Sequence, residues 1–183
     1  MSKVYVFLAD GFEDIEGLTV VDLMRRAEID VTTVSIKDTK EVTTSHAVTL
    51  YADKLFSEVD FSDADMLVLP GGMPGTKYLG ACTELTELLT NFYNKGGKVA
   101  AICAAPSVLG QLGFLKGRRA TSYPGFGEKL IGAEVVEEAV VVDCNVTTSR
   151  GMGTAVPFAR ERLAQLKGAE LAEEMGKSII WSK

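Results

Sequence analysis

The sequence predicts an α/β fold: a mostly parallel β-sheet with helices on both faces, and a sharp strand-to-helix turn carrying a thiol. Three observations lead there. Apolar runs of strand length alternate with stretches whose apolar residues recur at helical spacing, the pattern of repeated β-α-β units. Two of the runs, Met66-Leu67-Val68-Leu69 and Val99-Ala100-Ala101-Ile102, are apolar throughout and stop on Pro70-Gly71-Gly72 and on Cys103-Ala104-Ala105-Pro106. The chain has 183 residues, 46% of them hydrophobic and 24% charged, enough for one domain with a sizeable core. Residues 1–183 read as a single domain without linker, internal repeat or low-complexity segment.

The elements follow in order. Lys3–Ala9 is a strand, and Ile15–Ala27 a helix with Val20, Leu23, Met24 and Ala27 on one face. Asp30–Ile36, rich in Val and Thr, is the next strand. Glu41–Thr44 and Val48–Ala52 suggest a short hairpin around Ser45-His46. Met66–Leu69 is a buried strand, Thr83–Asn94 a helix and Lys98–Ile102 another strand. A helix with Pro106 in its first turn follows Cys103. Arg119–Ser122, Ala139–Asp143 and Val146–Thr148 are strands, and Thr154–Lys167 and Ala169–Ile180 closing helices. Sheets of this kind bind ligands beyond the carboxyl ends of their strands. The loops Asp10–Asp14, Pro70–Gly75 and Cys103–Pro106 are therefore expected to meet in one crevice.

Composition excludes several classes of function. A net charge of −6 argues against nucleic acid, which requires clustered Lys and Arg. No stretch has the length of a membrane span, and the N-terminal apolar run is broken at Asp10-Gly11, unlike a secretory leader. Cys82, Cys103 and Cys144, odd in number and far apart, read as reduced thiols in a cytoplasmic protein. One histidine and three scattered cysteines give no metal-ligand spacing, and no phosphate-binding glycine motif is complete, so neither metal nor cofactor is expected.

Cys103 is the candidate nucleophile, because a helix N-terminus favours thiolate over thiol. The same spacing also suits a small buried cysteine filling a tight turn. Glu13 and Asp14 read as helix-capping acids, whereas Glu16 can project toward Cys103. A carboxyl beside a thiolate must be protonated, and could then hydrogen-bond sulfur and shuttle a proton. The backbone N–H groups of Gly72 and Ala104 could form an oxyanion hole. His46 reads as an exposed turn residue. Arg150, in Ser149-Arg150-Gly151-Met152-Gly153, reads either as the partner of a loop carboxylate or as an ordinary surface arginine. Cys82 reads as structural and Cys144 as partly exposed without activation.

Taken together, ADGFEDIE, VDLMRRA, LPGG, AAICAAP and TTSRGMGTA, in this order and spacing, resemble the ThiJ/PfpI superfamily and most closely its Parkinson disease protein seven branch. The resemblance covers nearly the whole chain. It implies a flavodoxin-like, class I glutamine amidotransferase-like three-layer sandwich with a nucleophile elbow at Cys103, usually as a homodimer. It implies that Glu16 is the protonated glutamate beside the cysteine and that Gly72 and Ala104 supply the oxyanion pocket. Arg26 falls where the family has an arginine near the dimer interface and pocket mouth, and His46 near a second basic position of that mouth. The branch usually carries a histidine where Thr121-Ser122-Tyr123-Pro124 places Tyr123. A phenol is a poor base at neutral pH, which leaves Glu16 as the main proton relay. Peptidase and glutaminase chemistry are disfavoured, because the histidines they need are missing.

The expected function is a cofactor-free, cysteine-dependent enzyme of glyoxalase or deglycase type. It would act on small reactive carbonyls or their adducts through a Cys103 hemithioacetal. The alternative is an oxidant sensor or redox-regulated chaperone in which Cys103 is oxidised to sulfinic acid. The first helix, with Val21, Met24, Arg25 and Arg26, offers either a partner-facing surface for a homodimer or a cover for the sheet.

Overall fold

The structure, a computed structural model, describes residues 2–182. In chain order the elements are β1 (Lys3–Leu8), α1 (Asp14–Arg26), β2 (Asp30–Ser35), β3 (Glu41–Thr43), β4 (Thr49–Tyr51), β5 (Lys54–Leu55) and β6 (Met66–Leu69). There follow α2 (Gly75–Ala81), α3 (Thr83–Asn94), β7 (Lys98–Ile102), α4 (Pro106–Gln111), β8 (Arg119–Ala120), β9 (Glu134–Val135), β10 (Val140–Asp143), β11 (Val146–Ser149), α5 (Ala155–Lys167) and α6 (Ala169–Ser178). Seven strands form one sheet in the order β10-β11-β7-β6-β1-β2-β5. Its pairs are parallel apart from the β10–β11 hairpin at one edge. This is the expected three-layer, flavodoxin-like architecture.

Burial on both faces explains the continuous apolar strands. In β1, Val4, Val6 and Leu8 enter a core shared with α1, α5 and α6, while Tyr5 and Phe7 enter a second core with α2, α3 and α4. Helix α1 starts where the Glu13 carboxylate accepts the Glu16 N–H at 2.9 Å, and it buries Val20, Leu23 and Met24. Val21 and Met24 are buried in the core shared with the sheet, Arg25 pairs with Asp53 at 2.6 Å, and the apolar residues that α1 exposes are Ile15 and Leu18. Of the two readings of this helix, cover for the sheet holds for Val21 and Met24.

Register brings the strand ends to one level. Val6 pairs with Val68, Leu69 with Ala101, and Ile102 with Ser149. The chain proceeds from β1 to β2 on one side and returns to β6 on the other, so strand order reverses between β1 and β6, where the site lies.

Most element boundaries agree with the sequence reading to within one or two residues. The strand expected over Arg119–Ser122 ends at Ala120, because the Thr121 N–H donates to Thr148 Oγ1 and the Tyr123 N–H to the Cys103 carbonyl. The last helix ends at Ser178, and Ile180 takes a left-handed φ of +58°. Two-residue β5 is too short to leave a pattern. Helix α2 holds Gly75 and Gly80, poor helix formers, and is fixed by burial of Leu79 rather than by propensity. Among the described residues, no helix is long and apolar enough to cross a membrane.

Candidate active site

Cys103 sits on the bend between β7 and α4 with φ +66°, a left-handed conformation that costs a non-glycine residue about 1–3 kcal/mol and is held only by its surroundings. Two bonds hold it. Its N–H donates to the Ser149 carbonyl at 2.9 Å, and its own carbonyl accepts the Tyr123 N–H at 2.8 Å. The glycine turn after β6 closes on the same point. The Glu13 N–H donates to the Gly71 carbonyl at 2.9 Å, and Gly72 adopts φ +92°, which glycine allows at no steric cost. A Cβ on Gly71 would lie 2.5 Å from Glu16 Oε2 and 2.6 Å from Cys103 Cβ. The three loops thus converge within the width of one side chain.

Glu16 is 1% exposed. Its Oε2 accepts the Gly71 N–H at 3.0 Å, while Oε1 is buried with no hydrogen-bond partner among the described residues. Burial raises the carboxyl to a pKa of about 7, helped by the charge of Glu13 and opposed by hydrogen bonds from Cys103 and Gly71. Burial, and then the Glu16 charge, push the Cys103 thiol up to about 12, against the pull of the Gly72 and Ala104 N–H groups aimed at sulfur. The expectation that a helix N-terminus lowers the thiol is therefore corrected. Helix α4 has six residues, and desolvation beside a carboxylate outweighs it. The two groups titrate as a pair. Thiol with carboxylate, and thiolate with carboxylic acid, are two arrangements of one proton, and the second is nucleophilic.

The other expected residues divide between the rim and more distant places. Tyr123 is 51% exposed, and its ring stands over Gly151, at the side of the crevice faced by Glu16 Oε1. His46, on the β3–β4 turn, is exposed at the rim. Its Nδ1 lies 2.9 Å from Asp14 Oδ2 and 3.9 Å from Glu13 Oε1, and the Asp14 carboxylate raises its pKa. Glu13, Asp14 and His46 hold their ligand atoms within 4.8 Å of one another, the one group among the described residues with that arrangement. Spacing in the sequence did not show it, because His46 arrives from a hairpin about thirty residues away. Arg150 lies 3.7 Å from Glu137, a loop carboxylate. Arg26 does not join this crevice. It pairs with Asp22 at 2.7 Å at the far end of α1, about 15 Å along the helix from Glu16. Cys82 is half-buried between α2 and α3, and Cys144 is exposed.

Sequence reasoning missed Gly71, Ser149 and Gly151. Gly71 had a signal, since paired glycines can serve two needs: Gly72 a positive φ, Gly71 the absence of a side chain between acid and thiol. Ser149 acts through its carbonyl, and Gly151 by the room it leaves, and neither leaves a mark in residue type.

Comparison with known proteins places this geometry among relatives. The signature of the DJ-1/PfpI family matches residues 2–165. The chain is 37% identical to protein dj-1beta of Drosophila melanogaster over 98% of each chain. It is 35% identical to a deglycase of Pyrococcus abyssi, over 90% of this chain and 99% of that one. It is 37% identical to protein DJ-1 homolog A of Arabidopsis thaliana over 97% of its own length, but spans 46% of that longer protein. Among solved structures, oxidised DJ-1 of Toxoplasma gondii superposes with a TM-score of 0.96 at 34% identity, over 100% of both chains.

Proposed function

Because the chain belongs to the DJ-1/PfpI family, we propose that it is a cysteine-dependent, cofactor-free enzyme acting on small reactive carbonyls or their adducts, of glyoxalase or deglycase type. The observation that carries this reading is the coupled Cys103–Glu16 pair, with the Gly72 and Ala104 N–H groups directed at sulfur.

With an α-ketoaldehyde, proton transfer from thiol to Glu16 gives the thiolate, which attacks the aldehyde carbon. A C–S bond forms, and the carbonyl electron pair moves to oxygen beside the Gly72 and Ala104 N–H groups. Glu16 gives its proton to that oxygen, forming a hemithioacetal. Its carboxylate then removes the hydrogen from the same carbon and returns it at the neighbouring carbon through an enediol stage. The product is a 2-hydroxy thioester, with one carbon oxidised and its neighbour reduced and no external redox partner. Water cleaves the thioester, releasing a hydroxy acid and restoring the thiol. The reading includes a cytoplasmic setting, in keeping with three free thiols, and a homodimer, in keeping with Ile15 and Leu18 exposed on α1.

Purified protein given methylglyoxal without glutathione is expected to form hydroxy acid, and Cys103→Ala to reduce this to background. Full turnover in Cys103→Ala overturns the proposal. A second reading, an oxidant sensor, is supported by the same donors, which would also stabilise a Cys103 sulfinate, and by the oxidised state of the T. gondii relative.

A further inference from the structure

We propose that the Tyr123 ring is the gate of the Cys103 crevice and sets the size of the electrophile that reaches the thiol. In its substrate aspect the inference rests on the carbonyl reading above; in its steric aspect it stands alone.

The backbone of Tyr123 is fixed on both sides. Its N–H is bound to the Cys103 carbonyl at 2.8 Å, and its carbonyl accepts the Phe126 N–H at 3.1 Å. Pro124-Gly125, with Gly125 at φ +90°, follows the type II turn pattern across this second bond. Pro124 further restricts Tyr123 to extended backbone. The main chain is thus tied to the nucleophile, and only side-chain rotation can move the ring.

The ring faces a small, unfilled place. A Cβ on Gly151 would lie 3.2 Å from Tyr123 Cδ2 and 3.7 Å from Glu16 Oε1. Gly151 has φ 162°, extended backbone that any residue adopts, so its contribution here is space. Tyr123 and Glu16 Oε1 therefore flank the same volume. Oε1, buried and without a partner among the described residues, marks that volume as the place where a ligand oxygen or hydrogen is met. Tyr123 is half-exposed, at the boundary between crevice and bulk. The crevice is also narrow: a Cβ on Gly71 would lie 2.6 Å from Cys103 Cβ, and one on Gly151 would press on the Tyr123 ring. Widening the opening on the Gly151 side requires a wall that can rotate away, and the half-exposed Tyr123 side chain is that wall.

The test compares alkylation of Cys103 by iodoacetamide and by its N-phenyl derivative, which share a reacting carbon and differ in bulk. Peptide mass spectrometry separates Cys103 from Cys82 and Cys144. The wild type is expected to favour the smaller reagent by about tenfold or more. Tyr123→Ala is expected to bring the ratio near unity, and Tyr123→Phe, which keeps the ring, to preserve it. Tyr123→Ser gives a second ring-deleted chain should the alanine variant fold poorly. A ratio unchanged within about twofold in the folded ring-deleted variant overturns the gate. The same variants, assayed with phenylglyoxal and methylglyoxal, are expected to shift kcat/KM toward the bulkier substrate. A wild type inert to both glyoxals overturns the carbonyl reading and the substrate aspect of this inference, while the alkylation ratio still decides the gate.

Discussion

Arg162 lies on α5 with its side chain 0% exposed, and its Nε, Nη1 and Nη2 atoms have no hydrogen-bond partner among the described residues. Its Cζ lies 4.9 Å from the centroid of the Phe158 ring, a cation–π contact. Desolvation pushes the guanidinium far below its ordinary value, down to about 9, with the Glu161 charge opposing. A fall of that size corresponds to about 5 kcal/mol against the charged form. The cation–π contact returns about 2 kcal/mol, leaving a net cost of about 3 kcal/mol. Arg162→Met keeps an unbranched apolar stem in the same space and removes the charge. It is expected to stabilise the fold by about 3 kcal/mol, or about 6–12 °C in Tm for a chain of this size. The sign follows from linkage. Above pH 9 the unfolded chain still binds the proton that the folded chain sheds, so stability rises with pH there. Below about 9 both forms are charged and the cost is constant. The gain in Arg162→Met should therefore be the same at pH 6 and pH 8, measured by urea unfolding followed by circular dichroism. A variant with native secondary structure that unfolds at the same or lower urea concentration than the wild type would refute the reasoning.

Two other predictions concern the site. Glu16→Gln keeps an acceptor for the Gly71 N–H and cannot ionise. The folded carboxyl titrates at about 7 against 4.5 unfolded, so its stabilisation is complete below pH 4.5 and is lost as pH rises through 7. The variant is expected to match the wild type near pH 4.5 and exceed it by about 3 kcal/mol at pH 8, read from urea unfolding at the two pH values. Equal stability at pH 8 would show that the buried carboxylate is satisfied. For the sensor reading, limiting peroxide followed by peptide mass spectrometry is expected to give sulfinic acid at Cys103 ahead of exposed Cys144. Uniform oxidation of the three cysteines would count against any special poise at Cys103.

The sheet was legible in the sequence because burial on both faces removes polar residues from central strands and leaves runs such as Met66–Leu69 unmistakable. The edges were less so. Lys54–Leu55 and Glu134–Val135 are two-residue strands, and α2 forms because its neighbours accept Leu79. The positions of Cys103 and Glu16 followed from strand ends and helix starts, which local chemistry sets. Their ionisation did not follow, because it depends on how completely the surrounding loops exclude water, a property of packing across residues 13, 71, 103 and 151. Arg26 shows the same limit: its place at the end of α1 was readable, but its distance from the crevice within one chain required the direction of the helix.

The two buried, incompletely satisfied side chains differ in what surrounds them. Arg162 packs on the Phe158 ring without a hydrogen-bond partner among the described residues, and its charge is a cost without a site. Glu16 faces a thiol, and the Gly71 N–H fixes one oxygen while leaving the other free. A Cβ at residue 71 would come within 2.6 Å of both Glu16 and Cys103, so no other residue allows the acid and the sulfur to meet there. Burial that raises the acid toward 7 destabilises the fold above that pH. The same burial lets the acid hold a proton at neutral pH and pass it to a bound oxygen, which a solvated carboxylate at its ordinary pKa would not do. The instability of the site and its capacity for chemistry thus have one cause, the dry contact between Glu16 and Cys103.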